Sequence, residues 1–234
     1  DQAVITGVTY TDARLGAGLM VSNAEEISVS IKRPASLVIN SFNGEASSGF
    51  YFDNGLFTFF NTGTELYAQA DIPKDIEAAL QFVLEELDIE APLMDVIYRD
   101  AASHFITSDE TIIYVQDKAR VDGTDCHHLA IRGAEVDVQL WVEEGDRPLP
   151  RKIMMTSKWE GGSPRFIAHL DWNTEPKFAP GLFQFKAPEG ATKTDFVRTN
   201  SLYSLGFDGE LAVADKQLLC ARQQQNASGD FAGV

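Results

Sequence analysis

Hydrophobic and polar residues alternate with a period of two along much of this chain, most clearly between Glu135 and Asn173. Over Glu135–Glu143, Val136, Val138, Leu140 and Val142 fall on one side and Asp137, Gln139 and Glu143 on the other. Over Arg151–Trp159, Ile153, Met155 and Ser157 oppose Lys152, Met154 and Lys158. Over Arg165–Trp172, Phe166, Ala168, Leu170 and Trp172 oppose Arg165 and His169. Alternation of this kind marks strands with one buried face and one wetter face. Glu144-Gly145-Asp146 with Pro148 and Pro150 breaks the first pair, and Gly161-Gly162-Ser163-Pro164 the second, so the three strands form an antiparallel meander.

The same pattern runs through the N-terminal half. Val4–Thr11 is strand-like, as are Ile27, Val29 and Ile31 with their polar neighbours, ended by Arg33-Pro34, and Ala35–Phe42. GFYFDNGLFTFF is the clearest hairpin, because Asn54 and Gly55 tolerate the positive φ that a tight turn needs. Its strands are apolar on both faces, Phe50 and Phe52 against Tyr51, then Phe57 and Phe59 against Phe60, as expected where a second layer covers the sheet. Asn61-Thr62-Gly63-Thr64 turns the chain into Glu65–Ala70. The period then changes. From Pro73, Ile76, Ala79, Leu80, Val83, Leu84 and Leu87 recur at steps of three and four and predict an amphipathic helix, with acidic residues in its first turn suiting the helix dipole. A shorter helix follows Pro92, and both are expected on the aromatic face of the sheet. Strands resume over Thr111–Arg120 and Asp125–Arg132, and the ordered pattern closes near Phe196, after FAPGLFQF and Pro188-Glu189-Gly190.

The expected architecture is α+β: a curved antiparallel sheet forming an unclosed half-barrel wrapped over a few helices. No repeat or linker divides it, so 1–196 reads as a single domain and 197–234 as a C-terminal extension, polar and mobile towards its end.

Composition narrows the functional classes. With 19 basic against 35 acidic residues the formal net charge is −16, a field that repels phosphate backbones and anionic head groups. Nucleic acid is therefore not an expected partner. No apolar run approaches the ~18 residues of a membrane span, and the chain opens at Asp1 in strand-like sequence without a signal peptide. Two cysteines, Cys126 and Cys220, are far apart. In an oxidising compartment they could pair, closing a loop that stabilises by roughly 3–5 kcal/mol in the chain-entropy model; the alternative is two separate thiols.

Taken together, DCHHLAIRGAEVDVQLWVEEGDRPLPRKIMMTSK, LDWNTEPKFAPGLFQFKAPEGATKTDF and the earlier YFDNGLFTFFNTGTELYAQADIPKDIEAALQFVLEELDIEAPLMDVIY resemble a bacterial family of predicted periplasmic proteins of unknown function. The resemblance runs from about Ser28 to Phe196. It implies a periplasmic location and the fold of the outer-membrane lipoprotein carrier and its receptor, an unclosed barrel over helices with an apolar cavity between. Members usually begin with a helix before the first strand, which this sequence lacks, and the tail after Phe196 goes beyond the pattern.

The motifs of common chemistries are missing. There is no HExxH, CxxC, G-x-S-x-G or P-loop. Gly16-Ala17-Gly18 lacks the third glycine of a dinucleotide fingerprint. His127 and His128 are adjacent in a strand and point to opposite faces, so they cannot share a metal. Glu143, Glu144 and Asp146 form a loop cluster with nothing to raise a pKa, and Asn226-Ala227-Ser228 is an isolated glycosylation sequon. No cofactor or metal is expected. What remains is an aromatic and aliphatic excess: Phe50, Phe52, Phe57, Phe59, Tyr67, Leu80, Leu84, Trp141, Met154 and Trp172 are the candidate lining of a cavity for acyl chains. The expected role is a non-enzymatic envelope protein binding a lipid or a lipoprotein acyl chain. The alternative is an interaction module with a filled core that contacts another envelope protein, with a hydrolase-type enzyme third.

Overall fold

The computed structural model describes residues 2–15, 18–89, 91–105, 112–146, 148–158 and 161–196. Among these residues, twelve strands and three helices follow the order β1 (Gln2–Arg14), β2 (Met20–Lys32), β3 (Ser36–Phe42), β4 (Ser47–Asp53), β5 (Leu56–Asn61), β6 (Leu66–Asp71), α1 (Ile76–Leu87), α2 (Met94–Ile97), α3 (Ala101–Phe105), β7 (Ile112–Val121), β8 (Thr124–Arg132), β9 (Val136–Glu143), β10 (Pro150–Ser157), β11 (Arg165–Asn173) and β12 (Thr192–Thr194). The strands hydrogen-bond in the order β12-β6-β5-β4-β3-β2-β1-β11-β10-β9-β8-β7, one large unclosed sheet. One element departs from the expected all-antiparallel pattern: β12 pairs with β6 in parallel, Thr192 to Leu66 through Thr194 to Ala68. A chain that returns along an edge after a long connection can join it in either sense, and Thr-Lys-Thr carries no alternation to announce it.

The chain divides into two compact units. One holds Val29–Met94 with Gln2 and the segment from Pro176 on; the other holds Ala3–Ser28 and Asp95–Glu175.

In the first unit, β4 and β5 meet at Asn54-Gly55, with φ of 49° and 95°, the two positive values of a type I′ turn. That turn sets the register of β4 on β5, and with the β3–β4 and β5–β6 pairings it places Leu37, Phe52, Phe57 and Ala70 in one row across β3–β6 and Ile39, Phe50, Phe59 and Ala68 in the next, all on one face. Val38, Tyr51, Thr58 and Gln69 lie on the other face, together with Phe60 and Tyr67. The α1 helix starts where Asp75 caps the backbone N–H of Glu77 at 3.1 Å and ends at Asp88 in the left-handed conformation. Its N-terminus is tied down by Ile76 N–H donating to the Pro34 carbonyl and by the ion pair of Arg33 with Glu77. Ile76, Ala79, Leu80 and Val83 are buried, whereas Leu84, from the same predicted stripe, is 40% exposed.

In the second unit, β1 pairs with β11 and the meander β11-β10-β9-β8-β7 follows. Thr9, Ala168, Ile153, Leu140 and Leu129 form a row across β1, β11, β10, β9 and β8, with Ala168, Ile153 and Leu140 buried. The opposite face mixes Trp141, Met154 and Ile167 with polar and ion-paired residues. Arg151 bridges Glu143 and Asp171 at 2.8 and 2.9 Å, and Arg165 holds Asp12 at 2.9 Å. Burial pushes the Asp12 carboxyl up, but hydrogen bonds from Arg165 and Ser22 outweigh it and hold the group below the ordinary carboxylate range.

Candidate functional site

The candidate site lies within the first unit, between α1 and the Phe-rich face. Leu37, Ile39, Phe50, Phe52 and Phe57 from the strands, and Ala79, Leu80 and Val83 from α1, surround a small space completed by Ile72 and Ala91. Every lining residue is apolar. The rings set its floor: Phe50 meets Phe59 edge-on at 5.0 Å and Phe57 at 6.1 Å between centroids. The space open to a water-sized body is about 20 Å³, enough for one water. With no polar partner for that water, the space is of the kind that stays dry.

Of the expected lining, Phe50, Phe52, Phe57 and Leu80 come together here, with Phe59 beside them. Leu84 is on the same helix, one turn on, and exposed. Tyr67 is on the opposite face of the sheet, where it, Tyr51 and Phe60 enclose the ring of Phe185 at 5.2–5.4 Å. Burial raises the Tyr51 hydroxyl above its ordinary pKa. Trp141, Met154 and Trp172 are in the other unit. Trp141 stacks on His128 at 4.2 Å with the Lys152 ammonium 4.9 Å from its ring, Met154 pairs in register with Gln139 and Ile167, and the Trp172 indole donates to the Pro150 carbonyl at 2.7 Å. The structure does not bring these three into the space beneath α1.

Leu37, Ile39, Ile72, Ala79, Val83 and Ala91 were not in the expected lining although they form part of it. Ala79 and Val83 were legible as members of the helical stripe, and Leu37 and Ile39 as parts of an alternating strand. Ile72 and Ala91 flank α1 in irregular segments, where no periodicity marks them.

Other sequence candidates are placed as follows. His127 is exposed and His128 half-buried; His169 binds Asp122 at 2.8 Å. Glu143 and Glu144 are matched by Arg151 and Lys118. Among the described residues no group of three or more His, Cys, Asp or Glu could hold a metal ion, and no helix is long and apolar enough to cross a membrane. Cys126 is buried, which pushes its thiol pKa up. Cys220 lies outside the described residues, and the pairing expectation with it; so do Gly16, Ala17, the sequon and the extension after Phe196.

A large unclosed sheet carrying one capped amphipathic helix over an aromatic face is the class that fold and site define. The chain belongs to the family of predicted periplasmic proteins designated DUF2092, whose model matches residues 3–197. The periplasm is the compartment that this membership assigns. No curated protein sequence matches the chain. Among solved structures, the chain is similar to an uncharacterized conserved protein from Thermus thermophilus, with 7% identity over 82% of this chain and 90% of that one and a TM-score of 0.47. It is also similar to a LolA superfamily protein from Nitrosomonas europaea, with 11% identity, 78% and 90% coverage and a TM-score of 0.36.

Proposed function

We propose that the space beneath α1 is the closed state of a binding site for an acyl chain, and that the protein is a non-catalytic lipid or lipoprotein binder of the periplasm. The observation that carries this reading is a wholly apolar, incompletely filled space between a sheet face rich in Phe and a single amphipathic helix. A guest enters by separating α1 from the sheet. That opening does not expose Ile76, Leu80 and Val83 to water, because methylenes of the guest replace the Phe rings as their neighbours. Each methylene withdrawn from water contributes about 0.8 kcal/mol. The sequence resemblance to proteins with the lipoprotein-carrier fold supports the same reading.

One observation favours the alternative, an interaction module with a filled core. About 20 Å³ is close to the packing of an ordinary interior, where few voids exceed a water molecule. Leu80→Trp separates the two. Leu80 is buried in the lining, so the larger ring fills the space at a cost of about 1–3 kcal/mol. On the acyl-chain reading, wild type binds a fluorescent fatty acid and the folded variant loses at least tenfold in affinity. If neither protein binds the probe, or both bind it equally, the site beneath α1 is not an acyl site.

A further inference from the structure

Within the second unit, the hairpin of β1 and β2 ends in a tip that breaks the usual rule for turns. Leu15 N–H donates to the Leu19 carbonyl at 2.7 Å, and Gly18 N–H to the Leu15 carbonyl at 3.2 Å, so the two leucines stand opposite each other across the turn. They are 51% and 61% exposed, the most exposed leucines among the described residues. Arg14 and Met20 stand at the foot of the tip, beside the loop between β10 and β11. A Cβ built on Gly161 falls 2.8 Å from the Arg14 guanidinium, and one on Gly162 falls 3.1 Å from the Met20 sulfur. Glycine at both positions lets the two turns approach, and the leucines are presented on a supported base.

Charge sets the tip apart as well. Between Asp12 and Glu25 the sequence has one charged residue, Arg14. Asp12 is taken up by Arg165 at 2.9 Å, whereas Arg14 is exposed and has no ion-pair partner among the described residues. In a chain of formal net charge −16, this end is apolar and locally basic. Single apolar side chains scattered over a surface are ordinary; two facing each other on one turn, with an unmatched cation at its foot, form a different arrangement.

The patch is too small for a protein partner, since two leucines and a turn fall far below the ~800 Å² that each side of a stable interface buries. A bilayer needs no matching surface. It admits apolar side chains past its head groups and offers phosphodiesters to a guanidinium that stays at the interface. We propose that the β1–β2 tip docks the protein on a phospholipid bilayer, with Leu15 and Leu19 entering the acyl boundary and Arg14 meeting a lipid phosphate. The docking is reversible: a whole myristoyl chain gives only ~10⁴ M⁻¹, and two leucines bury less. The net negative charge opposes anionic head groups, so a zwitterionic bilayer is the surface that fits. The proposal stands without an acyl guest beneath α1.

The full chain is floated with phosphatidylcholine vesicles at millimolar lipid, beside Leu15→Asp/Leu19→Asp and Leu15→Trp/Leu19→Trp, with urea midpoints as the check on folding. Wild type is expected to partition onto the vesicles, the Asp pair to lose at least about tenfold and the Trp pair to gain, all with the same midpoint. No binding by wild type or the Trp pair, or equal binding by wild type and the Asp pair, overturns the proposal. Binding that needs phosphatidylglycerol and vanishes in high salt also overturns it, because charge rather than the leucines would then hold the chain. Titration with the fluorescent fatty acid keeps this result apart from the site beneath α1. The Asp pair is expected to bind that probe as wild type does; loss of probe and vesicle binding together would mean that vesicles report the acyl site and that the tip is not the docking element.

Discussion

Replacing Phe50 with alanine is expected to cost about 3–5 kcal/mol in the lipid-free protein, the range for truncating a fully packed aromatic ring. Phe50 is 4% exposed, touches the rings of Phe57 and Phe59 and lines the space beneath α1. At about 2–4 °C per kcal/mol for a chain of this size, the melting temperature falls by roughly 10 °C. The informative part is the response to lipid. Truncation enlarges a site with no polar lining, and the new volume stays dry until an apolar guest enters it. A fatty acid at about 100 times its Kd restores about 2.7 kcal/mol, so added fatty acid recovers a good part of the lost melting temperature in Phe50→Ala. Thermal melting with and without decanoate checks this. A variant destabilised as expected but indifferent to lipid would place Phe50 in a closed core that no guest enters.

The other large effect is in the second unit. Gly7 lies in β1 opposite Leu170 of β11, and a Cβ built on it falls 1.9 Å from the backbone carbonyl oxygen of His169. Backbone cannot swing aside as a side-chain tip can. Gly7→Ala must therefore push β1 off β11 or break the local register, and a loss of about 3 kcal/mol or more is expected, at the upper end of what overpacking costs. Its neighbour Val8, half-buried, gives a contrast: Val8→Ala leaves β1 in place and is expected to cost less. Urea midpoints of the two variants measure the difference. Equal, small losses would mean that β1 does not pair with β11 in the register Gly7 to Leu170.

Much of this architecture is legible from local chemistry. Asn54-Gly55 announces its hairpin because few other residues adopt two successive positive φ values, and Ile76–Leu87 announces α1 because its apolar steps and its Asp75 cap agree. The lining was only partly legible, for a reason that parity explains. Phe57 and Phe59 share a face, and Phe60 takes the other; Tyr67, paired with Phe60, follows it there. Trp141, Met154 and Trp172 belong to the other unit, so for them it is chain position and not parity that decides. Collecting large apolar residues without asking which parity each holds merges two faces of a sheet. Parity within a strand can be read from sequence, but which parities of separate strands coincide depends on register, and register is settled by non-local pairing. β12 illustrates the limit, since three residues with no apolar pattern are recruited by the edge of β6.

Leu84 shows where helical periodicity overreaches. It fits the stripe of Ile76, Leu80 and Val83, yet it is 40% exposed.

The central claim is that an apolar guest lodges between α1 and the Phe face, and native mass spectrometry of the full chain purified from the periplasm without detergent tests it most directly. The account predicts a fraction carrying one lipid-sized adduct per chain, and uptake of one added fatty acid by the remainder. A bare chain mass that stays bare after incubation with fatty acid would contradict it.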